Sequence, residues 1–520
     1  MLLIFSLVLI FTNPINAQDN STEIINHVEQ NITTKTDENA LQDISNDLEY
    51  KISNAHDNEE IILNPGTYKV HNIQITKNIT FQGNGNPREV IIDGEEKSSI
   101  FLIRNPNVHV TFKNITIING LTDNFGGAIS IDTGNAYVDN CIFINNTALN
   151  KTNAGAISNY GTKQNRGYLF VNNSLFMNNH ADHDGGAITT CYANCDIYNC
   201  VFINNTAVRD GGAIRVSVYG YGNVQDCIFM FNHADEWGGA YYSWSGESNI
   251  ERCIFMNNTA GTNGGAVMVS GNINIQDSII MNNDGGETGG SFYIQQPMYD
   301  KKTKINVNNN IITNNSSPYG KEVFIKWWDA YNLYTDFNDN DWGDENPNDS
   351  EINDPNNVTS RMKVSRTIKS DLFSRLNVNL LDKYSDLIKD FFPENSLENL
   401  KNQFHTPQNN ENNNKKIKTN KLSSNFVKKG KSIENKDNKY SNDNLNSKSN
   451  INSNINTNVY NQMIIGNSSS HGEDDKAYEL NKTGSSVAKQ TNLDLKYFIA
   501  IISIVFILLA IGYKRNKRLE

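Results

Sequence analysis

The chain has 520 residues and a formal net charge of −12, too long for one ordinary compact domain. The charge is uneven: residues 401–450 hold eleven Lys against two Glu and two Asp, a net +7, so the acidity lies mainly in the first 350 residues. An acidic folded part argues against nucleic acid as a partner.

The chain opens with an apolar run from Met1 to Phe11, a polar step and Ile15-Asn16-Ala17. That is the layout of a signal peptide over residues 1–17, with an uncleaved N-terminal anchor as the alternative. Residues 18–49 read as a leader or cap. From about residue 50, Ile61-Ile62-Leu63, Ile73-Gln74-Ile75, Ile79-Thr80-Phe81 and Val90-Ile91-Ile92 alternate with turn residues and predict short strands.

A repeat then dominates. Cys141-Ile-Phe-Ile-Asn-Asn-Thr-Ala148 recurs as Ser174–Ala181, Cys200–Ala207, Cys227–Ala234 and Cys253–Ala260, with a weaker copy from Ser278. Each copy is followed by a Gly-Gly-Ala step or a variant of it. These begin at 126, 154, 185, 211, 238, 264 and 289, so the steps are 25–31 residues long. That period is too short for a pair of helices and suits a coil of three short strands and three turns. In a stack of parallel coils each residue sits about 4.8 Å above its counterpart, so like stacks on like. Phe143, Phe176, Phe202, Phe229 and Phe255 are expected to form one inward column. Asn146, Asn179, Asn205, Asn232 and Asn258 are expected to form an Asn ladder whose amides bond along the column. The fold predicted is all-β: a right-handed parallel β-helix over residues 50–320, roughly ten coils and near 50 Å long. Residues 321–365 read as its C-terminal cap and linker.

Residues 366–405 carry Leu372, Leu376, Leu380, Tyr384, Leu387 and Phe391 at helical spacing. They predict a small helical element: an amphipathic helix packed on its neighbour, a helical hairpin, or a self-association element. Residues 406–494 are rich in Asn, Lys and Ser and lack apolar runs, so they read as a disordered stalk, spanning on the order of 50 Å as a flexible coil. Tyr497 to Tyr513 carries no charge and fits a single transmembrane helix. The basic tail 514–520 that follows places the C-terminus in the cytoplasm and the rest outside.

The Phe-x-x-Asn and Gly-Gly-Ala-Ile pairing resembles polymorphic outer-membrane protein repeats. The Pro65-Gly66-Thr67-Tyr68 lead-in is similar to β-helix domains of the pectin-lyase-like superfamily. The whole layout resembles the adhesin-like surface proteins of methanogenic archaea, which close the β-helix with an Asn-Trp-Trp-Gly…Asn-Pro element. Here Asn340-Asp341-Trp342-Gly343 and Asn346-Pro347 stand, with Asp341 in place of one Trp. The resemblance implies a pectin-lyase-like solenoid at the cell surface and an adhesin-like role.

Cys141, Cys200, Cys227 and Cys253 share one small inward slot with Ser174 and Ser278. Stacked there, their Cβ atoms stand about 4.8 Å apart, beyond disulfide reach, which predicts free buried thiols. Cys191 and Cys195 lie off this column and are free to pair with each other. The sequons at Asn357 and Asn481 are the glycosylation candidates. Asp184 and Asp210 are expected to stack one coil apart. That arrangement suits Ca²⁺ or a polar turn capping N–H groups, and the second reading is adopted, with no metal and no cofactor.

A lyase on this scaffold needs carboxylate-bound Ca²⁺ with an Arg or Lys base, and a hydrolase needs paired carboxylates. Neither set stands on successive coils, so no catalytic residues are assigned and the chain is not read as an enzyme. A turn region rich in aromatics, Tyr160, Tyr192, Tyr219, Tyr221, Tyr242 and Trp244, is the candidate ligand-binding strip. The function expected is a membrane-anchored, adhesin-like surface protein contacting glycans or proteins of other cells. The alternatives are a polysaccharide lyase or hydrolase, and a structural envelope protein without a ligand.

Overall fold

The computed structural model describes residues 45–297, 302–327, 333–342, 352–353, 372–392, 397–398 and 400–401. The expected signal peptide, stalk, membrane helix, basic tail and both glycosylation candidates lie outside the described residues. Among the described residues no helix is long and apolar enough to cross a membrane.

A helix at Ser45–Asn54 buries Leu48 and Ile52 against the first coil, and the first strand follows at Glu59–Leu63. The start is therefore a helical cap: its acidic first turn and basic last turn complement the helix dipole. Among the described residues every paired strand beyond it is parallel to its neighbour, in three sheets of 20, 10 and 6 strands. One coil shows the pattern: a first strand Ile214–Ser217, a second Tyr221–Gln225, a third Ile228–Met230 and a fourth His233–Ala234. The first and second strand ladders merge into the 20-stranded sheet because Tyr241–Glu251 and Val267–Gln276 run through both.

The coils continue past residue 320. Val323–Lys326, Leu333–Asp336 and Ile352–Asn353 add further parallel pairs, so part of the expected cap is solenoid. Trp327, Phe337 and Trp342 fill the core at that end.

Turn chemistry explains the Asn and Gly content. Between the second and third strands one residue takes left-handed φ, as at Asn173, Asn199 and Asp226; between the third and fourth another does, as at Asn178, Asn204 and Asn257. Asn tolerates this region better than other non-glycine residues. In the Gly-Gly step the first glycine has φ near +67°, as at Gly211. The second has no room: a Cβ on Gly212 would sit 2.1 Å from the Gly239 carbonyl oxygen of the next coil.

Inside, the five phenylalanines stack with centroids 4.7, 4.8, 4.8 and 4.6 Å apart and planes within 7°. The Asn ladder runs beside them and is longer than expected, continuing through Asn283 to Asn315. Up to Asn283 each amide donates to the Asn oxygen of the next coil and to a carbonyl of the previous coil: Asn205 Nδ2 reaches Asn232 Oδ1 at 3.0 Å and the Phe176 oxygen at 3.0 Å. The Asn315 amide ends the run on the Glu322 carboxylate.

All six cysteines are free, including Cys191 and Cys195. The small slot is itself a hydrogen-bonded ladder. The Cys141 N–H donates to Ser174 Oγ, Cys200 to Cys227 Sγ, and Cys253 to Ser278 Oγ, at 3.1, 3.4 and 3.0 Å. Its last members are Asn310 and Asn340, so the Asn of the closing element extends this slot.

The outer face of the third strands is apolar, with Leu175, Met177, Val201, Ile203, Ile228 and Met230 among its members. The segment expected to be one amphipathic helix covers it as short helical pieces, Leu372–Arg375, Asn379–Lys383 and Ser385–Ile388. Leu372, Leu376, Leu380, Tyr384 and Leu387 are buried there. Arg375 pairs with Asp277, Asn377 with Asn199, and Asp386 with Arg88, so this strap runs back from late coils toward early ones.

Candidate functional site: the outer faces of the coils

Side chains on the first strands alternate in and out, and the outward ones form two rows. Ser158, Thr189, Arg215, Tyr242 and Met268 lie side by side in one; Tyr160, Cys191, Ser217, Trp244 and Ser270 do so in the other. The loops entering each Gly-Gly step fold over the first row. Tyr242 is thereby only 2% exposed and packs with Met268, Trp237 and Trp244. It is not part of an exposed strip, contrary to expectation, because periodicity marks it as outward but not as roofed. Tyr160 and Trp244 are half-buried. The Tyr160 ring packs tilted against Phe125 with centroids 4.8 Å apart, and its hydroxyl accepts from Asn153 Nδ2 at 2.7 Å.

Beneath these rings lies a buried charge cluster. Asp184 and Asp210 stand on adjacent coils as a parallel bridge, and both are buried. Arg209 Nε lies 3.0 Å from Asp184 Oδ1 and 3.2 Å from Asp210 Oδ2. Arg215 Nε and His183 Nδ1 approach Asp184 Oδ2 at 3.1 and 2.9 Å. The Arg215 guanidinium also lies 6.0 Å from the Tyr242 and Trp244 ring centres. Burial pushes the Asp184 carboxyl up, but Arg215, Arg209 and His183 outweigh it and hold it well below the usual range. Asp210 goes the other way: burial and then the Asp184 charge raise it well above the usual range. The two stacked acids are therefore driven in opposite directions, as expected where like charges share a dry site. Arg209 reaches both acids, so the cluster is an ion network that ties the two turns together. Among the described residues no group of three or more His, Cys, Asp or Glu is placed to hold a metal ion.

The remaining expected aromatics reach the surface. Tyr219 and Tyr221 are 44% and 37% exposed, and Tyr192 is half-buried with its ring 5.4 Å from that of Tyr219. Lys163 lies 5.9 Å from the Tyr219 ring centre, and Arg166 donates to the Tyr219 carbonyl. Both come from the loop that lengthens one repeat to 31 residues.

A second outward surface, on the second strands, was not singled out from the sequence. Tyr137, Phe170, Asp196, Asn223, Asn249 and Asn274 are successive neighbours along one row. The flanking rows bring in Tyr168, Tyr198 and Tyr221. Tyr137 lies 5.8 Å from Tyr168 and 6.1 Å from Phe170, and Phe170 lies 5.7 Å from Tyr198. Asp196 Oδ2 accepts from the Tyr168 hydroxyl at 2.7 Å, and Asn223 donates to Asp196 Oδ1 and to the Tyr198 hydroxyl. Farther on, Asn223, Asn249 and Asn274 form an outer amide ladder at 3.0 and 2.8 Å. The signal for this patch was present: where later coils place Asn at these outward positions, the coils of 135–139 and 168–172 place Tyr and Phe.

Residues 199–217 and 252–270 match the Chlamydia polymorphic membrane protein (Chlamydia_PMP) repeat. Each match spans a second-to-third-strand turn and the Gly-Gly step after it. No curated protein matches the chain. Among solved structures it is similar to a PL6 alginate lyase in complex with a trisaccharide, at 12% identity and TM-score 0.34 over 65% of this chain and 85% of that one. It is also similar to a PL6 family polysaccharide lyase from Pseudopedobacter saltans, at 12% identity and TM-score 0.28 over 62% and 90%. At that level neither the chemistry nor the substrates of those lyases transfer to this chain. What the chain shares with known proteins is the polymorphic membrane protein type repeat, carried on an all-parallel β-solenoid.

Proposed function

We propose that this chain is a surface-exposed contact protein, adhesin-like, which presents its solenoid to glycans or proteins of other cells. The observation that carries this is the pair of polymorphic membrane protein repeats on stacked coils, since the matching family is named for a membrane protein. The solenoid winds right-handed, as connections between parallel strands do in nearly all cases. Residues 1–17 direct export. Residues 497–513 anchor the chain, and 406–494 serve as the stalk between anchor and solenoid. Asn357 and Asn481 carry any sugar, since the repeat sequons at Asn145, Asn204 and Asn257 sit half-buried at left-handed turns.

The contact strip is Tyr192, Tyr219 and Tyr221 with the edge of Trp244; Tyr160 and Tyr242 support it from below. Single aromatic contacts contribute about 0.5–1.5 kcal/mol each, so attachment depends on many copies per cell. Cells displaying the full chain should attach to other cells or to glycan-coated surfaces, and a Tyr192→Ala, Tyr219→Ala pair should reduce that attachment with display unchanged. Undiminished attachment removes the strip from the account. Cleavage of a polysaccharide by the purified chain would replace contact with catalysis.

A further inference from the structure

We propose that the outer face of the second strands, around Tyr137 and Phe170, is a docking platform for an uncharged oligosaccharide chain. It deepens the contact reading above, on which it rests, but uses the neighbouring surface, with Tyr221 at the border of the two. Four features support it. The rings are contiguous over successive coils, with centroids 5.7–6.1 Å apart, and Tyr137 is 38% exposed where later coils carry amides. Apolar surface gathered in one patch on an otherwise polar face marks a binding site more often than scattered side chains do.

The patch is also held in place before any ligand arrives. Asp196 fixes the Tyr168 hydroxyl, and Asn223 bridges Asp196 and the Tyr198 hydroxyl. A rigid platform of this kind loses little conformational freedom on binding. Its chemistry alternates apolar ring faces with phenol, carboxylate and amide groups. That suits a sugar chain, whose C–H faces lie on rings while its hydroxyls donate to and accept from the polar groups between them.

Charge selects the occupant. Asp139 and Asp196 stand within the patch, with Asp226 and Glu251 beyond it, and Arg252 is taken up by those last two. Lys113 stands beside Asp139 in the strand register and Lys383 is close enough to sense its charge, so the acids prevail only around Asp196, Asp226 and Glu251. That end of the face disfavours polyuronates and other polyanions. Among the described residues the strap covers the third strands and leaves this face open.

The test uses the full chain in detergent with four probes: cellohexaose, N-acetylated chitohexaose, mannohexaose and polygalacturonate. Titration calorimetry should detect binding of at least one neutral hexasaccharide. A Tyr137→Ser, Phe170→Ser pair should weaken it by roughly tenfold or more, the scale of one or two aromatic contacts. Tyr50→Ala, removing a ring that is 68% exposed on the N-terminal helix, should change nothing. If the pair disturbs folding by circular dichroism, Tyr137→Ser alone should still weaken binding. No binding of any neutral probe, undiminished affinity in a folded variant, or preference for polygalacturonate overturns the proposal. Sugar binding that persists in the Tyr192→Ala, Tyr219→Ala pair while attachment is unaffected would sink the strip without touching this platform.

Discussion

Replacing Asn205 by alanine removes an interior rung of the internal ladder. The side chain donates to the Phe176 carbonyl and to Asn232 Oδ1, and accepts from the Asn179 N–H and the Asn179 amide at 3.1 and 2.9 Å. Asn179 and Asn205 are both fully buried, so no solvent replaces those partners. The change strands two donors on Asn179 and takes the amide donor from the Phe176 carbonyl. At roughly 1–3 kcal/mol for each of the two stranded donors, the loss is about 2–6 kcal/mol. The control is Asn249→Ala on the outer ladder. Its amide makes the same kind of bond to Asn223 and accepts from Asn274, but the residue is only half-buried and water can take over. Its loss should stay below about 1 kcal/mol. Coils in a solenoid open locally, so native-state hydrogen exchange over residues 174–207 is the fitting assay, with the denaturant midpoint as a second readout. Equal effects at Asn205 and Asn249, or a loss under about 1 kcal/mol at Asn205, would refute the idea that burial gives the inner ladder its strength.

The charge cluster predicts opposite pH effects. Asp184 has a depressed folded pKa, so its stabilisation is present above the unfolded carboxylate value and lost as pH falls through the folded one. Asp210 has a raised folded pKa, so its contribution is complete below the unfolded value and lost as pH rises through the folded one. Asp210→Asn should therefore be neutral or stabilising at pH 7 in thermal melts. Asp184→Asn should destabilise by about 3–5 kcal/mol, because Arg215 is left buried without its counter-charge. Cys141 and Cys195, pushed up to about 12 by burial, should resist alkylation in the native chain at pH 8, and all six thiols should react after denaturation without reductant. Fewer than six would mean a disulfide. A Leu380→Asp, Leu387→Asp pair should loosen the strap, uncover the apolar outer face of the third strands and raise dye binding by exposed hydrophobic surface; unchanged dye binding would mean that the strap is not held by that packing.

The internal ladders were legible in the sequence because a parallel, in-register stack turns linear period into spatial contact. Phe143 to Phe255 and Asn146 to Asn258 recur at one coil's length, so each meets its own counterpart whatever the rest of the chain does. Gly211 and Gly212 were legible for the same reason: one needs left-handed φ, and the other has the next coil's carbonyl where a Cβ would be. The expected contact strip was only half legible. Tyr219 stands in the left-handed turn after its first strand and Tyr242 on a first strand beside Arg215; one is exposed and the other roofed, because exposure depends on which neighbouring loop folds over a position. The aromatic face around Tyr137 was recorded in the repeat as Tyr and Phe where later coils carry Asn, whereas the Asp184–Arg215 pairing and the docking of the strap on the third strands were decided by the tertiary structure alone. Those last two join residues through side-chain reach or docking across coils rather than through the repeat, and no period in the sequence records that.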